Sequence, residues 1–120
     1  MITGLHALLY AEDPALARAF FRDVLDWPYV DAHDGWLIFR TGPSELGVHP
    51  TAGSAAHHEI SLMCDDIERT VSELTARGAA FTGEIRDASF GRTIMMAVPG
   101  AGSMMIYQPR HPLAYELPDR

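Results

Sequence analysis

The strongest constraint on this chain is that one short pattern occurs in it twice. The run H-A-L-L-Y-A-E-D from His6 to Asp13 returns as E-I-S-L-M-C-D-D from Glu59 to Asp66, each copy opening on a metal-capable side chain and closing on two acids. Further on, S-E-L-G-V-H-P (Ser44 to Pro50) answers S-M-M-I-Y-Q-P (Ser103 to Pro109). The offset grows from 53 residues in the first pair (6 to 59) to 59 in the second (44 to 103), a difference that loops absorb. A repeat of about 50 residues means two copies of one supersecondary unit, neither able to bury its apolar face alone. Any functional site is then expected between the halves.

Each half reads as β-α-β-β-β. In the first, Ile2 to Tyr10 is expected to be a strand, and Asp13-Pro14 to start a helix, with Asp as N-cap and Pro at the first helical position. Ala17, Phe20, Phe21, Val24 and Leu25 recur at helical spacing and should face a sheet, and Pro28 ends the helix. Asp34-Gly35 is a short-hairpin signal between Tyr29–Ala32 and Trp36–Thr41, and Glu45 to His49 completes the half. In the second, the expected strands are His58–Cys64, Ala80–Thr82 with Glu84–Arg86, Arg92–Val98 and Ser103–Gln108. Its helix opens on Asp65 with Glu68 as a capping box, buries Ile67, Val71 and Leu74, and ends at Gly78. The expected organisation is a single α+β domain: module one at 2–50, a linker at 51–57, module two at 58–109, and a tail at 110–120 with no regular structure. Two such modules would pair into a cupped mixed sheet that encloses a cavity, with the helices outside. The rival plan, a ferredoxin-like fold of the kind used by dimeric monooxygenases, has one strand fewer in each half.

Composition narrows the chemistry. The net charge of −7 argues against nucleic acid, which needs a basic stripe. All nine basic residues are Arg, which removes Schiff-base and Walker-lysine chemistry. The single Cys64 cannot form an intrachain disulfide, and on the Ile60/Leu62 side of its strand it reads as a small buried hydrophobe. No apolar stretch is long enough to span a bilayer and no export signal is visible, so a cytoplasmic protein without a membrane partner is expected.

The phrases G-L-H-A-L-L-Y, H-E-I-S-L-M-C-D-D-I-E-R-T-V-S-E-L-T-A-R-G and Y-Q-P-R-H-P, set in two β-α-β-β-β modules, resemble the vicinal oxygen chelate superfamily. That group includes glyoxalase I, extradiol dioxygenases, fosfomycin-resistance enzymes and bleomycin-resistance proteins, and the resemblance covers residues 2 to 110. It implies one candidate metal ligand on the first and last strand of each module. Those positions offer His6 and Glu59 on the first strands, and Glu45 or His49 in module one. On the final strand Met105 stands where metal-dependent members usually carry Glu. Strand alternation sets Glu59, Ser61 and Met63 on one face and His58 on the other. A literal repeat alignment turns Glu45 and His49 outward, and a bulge would reverse that.

His6, His49 and Glu59 would make a three-ligand site with an open position, suited to divalent Zn, Ni, Mn, Fe or Co. Glu59 would also be the candidate catalytic carboxylate, and the bound ion could polarise a carbonyl or activate water. Met105, a poor ligand for these metals, weighs against an ion. Leu8, Tyr10, Trp36, Ser61, Met63, Met95, Met105 and Tyr107 form the candidate ligand-binding wall, apolar and adaptable. Arg40 and Arg92 could anchor an anion, although the acidic balance suits a cationic ligand better. Two functions stay open: a metal-dependent lyase, isomerase or dioxygenase, and a metal-free binder that sequesters a drug or an aromatic metabolite. Short strands with open edges lead to an expected homodimer.

Overall fold

A computed structural model describes residues 6–118. Helix α1 spans Pro14–Asp23, and the Asp13 side chain caps it by accepting from the Leu16 N–H at 3.1 Å. Ala17, Phe20 and Phe21 are its buried residues, as the spacing requires. The helix stops at Asp23, short of Pro28, and Asp26 then takes a left-handed φ of 57° that turns the chain away. Helix α2 spans Ile67–Ala76, with Gly78 at φ 99° just beyond it. Its N-cap is Asp66, which accepts from the Arg69 N–H at 3.1 Å. The cap is therefore one residue later than the expected Asp65; two adjacent acids both satisfy the pattern, and the phase of the buried Ile67 selects the second.

The second half closes its unit. Strands β3 (Ser61–Met63), β4 (Phe81–Ala88), β5 (Gly91–Ala97) and β6 (Ser103–Pro109) form one sheet in the order β3-β6-β5-β4. β3 runs parallel to β6, and the other pairs are antiparallel. Ile94, Met96, Met104 and Ile106 are buried in one core with Ile67 of α2 and with Ala17, Phe20 and Phe21 of α1. Both helices thus bury their apolar stripes on the same sheet face. Leu62 and Cys64 also pack against this core, on the side expected for the cysteine.

The first half differs. Strands β1 (Tyr29–Asp31) and β2 (Leu37–Phe39) pair as an antiparallel hairpin. Its turn carries positive φ at both Asp34 (46°) and Gly35 (84°), the conformation Asp-Gly supplies. Phe21 stacks on Trp27 at 5.2 Å between ring centroids and meets Phe39 edge-on at 5.7 Å, which holds the hairpin on α1. The expected strands at 2–10 and 45–49 are not formed among the described residues. His6–Tyr10 and Glu45–His49 have no regular structure, and residues 2–5 lie outside the described span. Tyr10 is 89% exposed and Val48 93%. An extended segment with no neighbour to pair with leaves its N–H and C=O groups to water and forms no ladder.

Beside this shared core, two hydrogen bonds tie the modules together. The Asp13 N–H donates to the Gly100 carbonyl at 2.9 Å, and Arg77 donates to the Val24 carbonyl at 3.0 Å. Gly100 has φ 78°, and a Cβ there would lie 2.6 Å from the Asp13 carbonyl oxygen, so the contact requires glycine. No helix among the described residues is long and apolar enough to cross a membrane. The chain exposes 9280 Å², whereas a compact 13.2 kDa monomer exposes about 6400 Å². Its radius of gyration, 15.4 Å, exceeds the roughly 13.6 Å of a compact domain of this length.

Candidate functional site

Because side chains alternate along a strand, the sheet face opposite the helices carries the residues between the core positions. The registers set these side by side in two rows. One row runs Arg86, Thr93, Tyr107, Met63 from β4 across β5 and β6 to β3. The other runs Thr82, Met95, Met105, Ser61. No element of the described chain covers this face over Met95, which is 40% exposed, while its neighbour Met96 on the helix side is fully buried. Thioether and aromatic groups thus line an open, slightly polar surface, an adaptable wall for an irregular apolar molecule. Ser61, Met63, Met95, Met105 and Tyr107 of the expected wall are brought together here.

The tail lies beside one end of the face. A cavity of about 350 Å³ lies among Met63, Cys64, Asp65, Pro109, Leu113 and Tyr115. The tail is held by Glu45, whose side chain is 14% exposed. Its Oε2 accepts from the Ala114 N–H at 2.9 Å, and His111 Nε2 stands 3.6 Å from Oε1. Burial, and then the nearby Glu45 charge, push the Tyr107 phenol above its ordinary pKa, and its hydroxyl donates to the Phe90 carbonyl at 3.1 Å. Of the two first-module candidates Glu45 and His49, it is Glu45 that contacts the tail beside the sheet. His111, assigned no part by the sequence, completes that contact; its position in a Pro-rich tail gave no periodic signal. Burial also raises the Cys64 thiol, which keeps it protonated and a poor nucleophile.

The remaining candidates lie elsewhere. Leu8 and Tyr10 are exposed in an irregular segment. Trp36 stacks on His33 and lies beneath the Arg18 guanidinium, 4.8 Å from the ring centroid, on the flank of α1. His6 is exposed, His49 Nδ1 contacts the Pro50 carbonyl at 2.7 Å, and Glu59 pairs with His57 at 3.2 Å. Among the described residues, no three His, Cys, Asp or Glu side chains stand where they could share an ion. Among the described residues His6, His49 and Glu59 are thus not brought together, and Met105 adds a soft thioether and no hard donor on the final strand. Arg92, a candidate anion anchor, instead pairs with Glu68 of α2 at 3.0 Å on the helix side.

A structural likeness links the chain to several solved proteins. It is similar to TnmS3, an antibiotic binding protein from Streptomyces sp. CB03234, with 20% identity over 91% of this chain and 99% of that one and a TM-score of 0.61. It is similar to a lactoylglutathione lyase from Agrobacterium tumefaciens, with 17% identity over 83% of this chain and 88% of that one and a TM-score of 0.58. The fosfomycin resistance protein FosX from Mesorhizobium loti gives 17% identity, coverage of 90% and 93%, and a TM-score of 0.54. Identities this low establish the fold alone. Among curated proteins, none has a sequence that matches this chain. The family model of the Glyoxalase/Bleomycin resistance protein/Dioxygenase superfamily, however, matches residues 5–109. The chain belongs to that superfamily.

Proposed function

We propose that this protein binds a small organic molecule on the methionine-lined sheet face, without needing a metal to do so. The observation that carries the reading is the grid of Met63, Met95, Met105 and Tyr107 on one uncovered face. Met95 and Met105 stand opposite each other there, where apolar side chains in a solitary sheet would meet only water. The superfamily hosts lyases, resistance enzymes and binders on one fold, so its name does not choose among them. The donor geometry among the described residues gives no support to the metal-dependent alternative.

In this reading a second copy of the chain lies over the face and completes the cavity. Its support is the excess of exposed area, roughly 2900 Å² over a compact monomer, on the scale that obligate homodimers bury. Leu8, Tyr10, Leu46 and Val48 are among the exposed apolar residues available to the partner.

The test uses methyl-labelled methionine. An apolar aromatic ligand such as N-phenyl-1-naphthylamine should shift the Met63, Met95 and Met105 methyl resonances and leave Met96 and Met104 in place. Shifts confined to Met96 and Met104, or none at saturation, would remove the reading. Solution scattering at micromolar concentration tests the assembly, and a monomer mass there counts against the second copy.

A further inference from the structure

At the β4 end of the face stands a cation that no carboxylate pairs with among the described residues. Three arginines cluster at this end of the sheet. Arg92 pairs with Glu68 at 3.0 Å, and Arg110 pairs with Asp87. Both acids are thereby occupied. Arg86 is exposed, and no carboxylate pairs with it among the described residues. Its side of the sheet is fixed by two observations: Ile85 beside it packs against the core, and Arg86 pairs in register with Thr93, which alternates with the buried Ile94. The register slips between Thr82 and Arg86, where Gly83 takes φ 73°. This bulge re-aims the strand, and without it Arg86 would not share a row with Thr93 and Tyr107.

We propose that Arg86 receives the anionic head of an amphipathic ligand whose apolar body lies along Tyr107 and the methionines; this rests on the sheet-face reading above. The row Arg86, Thr93, Tyr107, Met63 crosses three inter-strand gaps, about 14 Å at ordinary strand spacing. That span suits a two- or three-ring aromatic carboxylate, sulfonate or phosphonate. The planar fork of Arg matches such an oxyanion, and the Thr93 hydroxyl can add a hydrogen bond. Glu45, the acid nearest Tyr107, is engaged by the Ala114 N–H and faces His111. The overall charge of −7 repels anions at long range, so attraction has to come from a local cation on the face itself. The whole-chain charge favours a cationic ligand, and the local geometry reverses that preference.

The experiment compares two probes that share a ring system: 8-anilinonaphthalene-1-sulfonate, which is anionic, and N-phenyl-1-naphthylamine, which is neutral. Each is titrated by fluorescence into wild type, Arg86→Gln, Arg86→Lys, and Arg69→Gln as a control for net charge on the outer face of α2. Arg86→Gln is expected to bind the sulfonate about fivefold more weakly than wild type, the scale of one partly exposed charge pair. Arg86→Lys should keep most of the affinity and Arg69→Gln all of it, added salt should shrink the difference, and the neutral probe should not distinguish the variants. Equal sulfonate affinity in wild type and Arg86→Gln, with the neutral probe still shifting the three methionine methyls, overturns the role of Arg86 and leaves the sheet face as a site. Failure of both probes to shift those methyls overturns the site and the role together.

Discussion

The two halves carry the same pattern, yet they finish differently. Each has a ten-residue helix capped by an aspartate that accepts from the N–H three residues on. Around α2 the chain adds four hydrogen-bonded strands; around α1 it adds only the short hairpin β1–β2. The first strand of the second half finds an edge, because β6 passes beside it with Ser61 opposite Met105 and Met63 opposite Tyr107. Its counterpart near Leu8 and Tyr10 finds none among the described residues. A strand is a relation between two segments, whereas a helix closes its hydrogen bonds within itself, so the helix and the self-pairing hairpin form in both copies, while the first and last strands of the unit form only in the second. Among the described residues, the first half is therefore the part whose extended segments are left without a paired neighbour.

The sharpest way to break this comparison is to truncate a side chain in each half. Met96→Ala, in the sheet core, should destabilise by about 2–5 kcal/mol. Val48→Ala, in the unpaired first-half counterpart of β6, should change the stability of the dilute protein by less than about 0.5 kcal/mol. Denaturant unfolding at low concentration measures both. A near-neutral Met96→Ala would undo the assignment of the two sheet faces. If Val48→Ala costs more as protein concentration rises, a second copy is packing on that segment.

A smaller effect is expected at the joint between the halves. Gly100→Ala would add a Cβ 2.6 Å from the Asp13 carbonyl oxygen at a φ of 78°. Strain of this kind is worth about 1–3 kcal/mol. The loss should appear together with faster amide exchange at Asp13, whose N–H is held by the Gly100 carbonyl. A variant as stable as wild type, with Asp13 still protected, would mean that the helix start does not rest on this turn.

How far the sequence could be read follows the same division. The N-cap at Asp13, the buried stripe of α1, the strands of the second half and the shared face of Met63, Met95, Met105 and Tyr107 were all legible, because each depends on local periodicity. The alternation around Leu8 and around Val48 is just as clean, but it records a preference for extended backbone and not the presence of an edge. Arg86 escaped because Gly83 splits its strand in sequence, and the face it joins depends on how many residues the bulge inserts. Arg92 looked like an equal candidate until α2 brought Glu68 to it. Glu59 could be read as a ligand because the pattern gave its strand parity; it could not reveal His57 two residues away.

That last pair gives the smallest and most local test. The Ala55 carbonyl first, and then Glu59, raise the His57 imidazole above its ordinary pKa. Since the folded value lies above the unfolded one, the contribution to stability is complete below the unfolded pKa and disappears as pH rises through the folded value. Both groups are exposed, so the unfolding midpoint should scarcely move, and the titration of His57 followed by NMR is the sensitive readout. Glu59→Gln should bring that titration down part of the way, with the Ala55 contact keeping the rest. If His57 titrates identically in the variant, Glu59 is engaged elsewhere in solution. A carboxylate turned toward a partner copy or a cavity is then the state to look for, and the first half would have a finished form that a single chain does not contain.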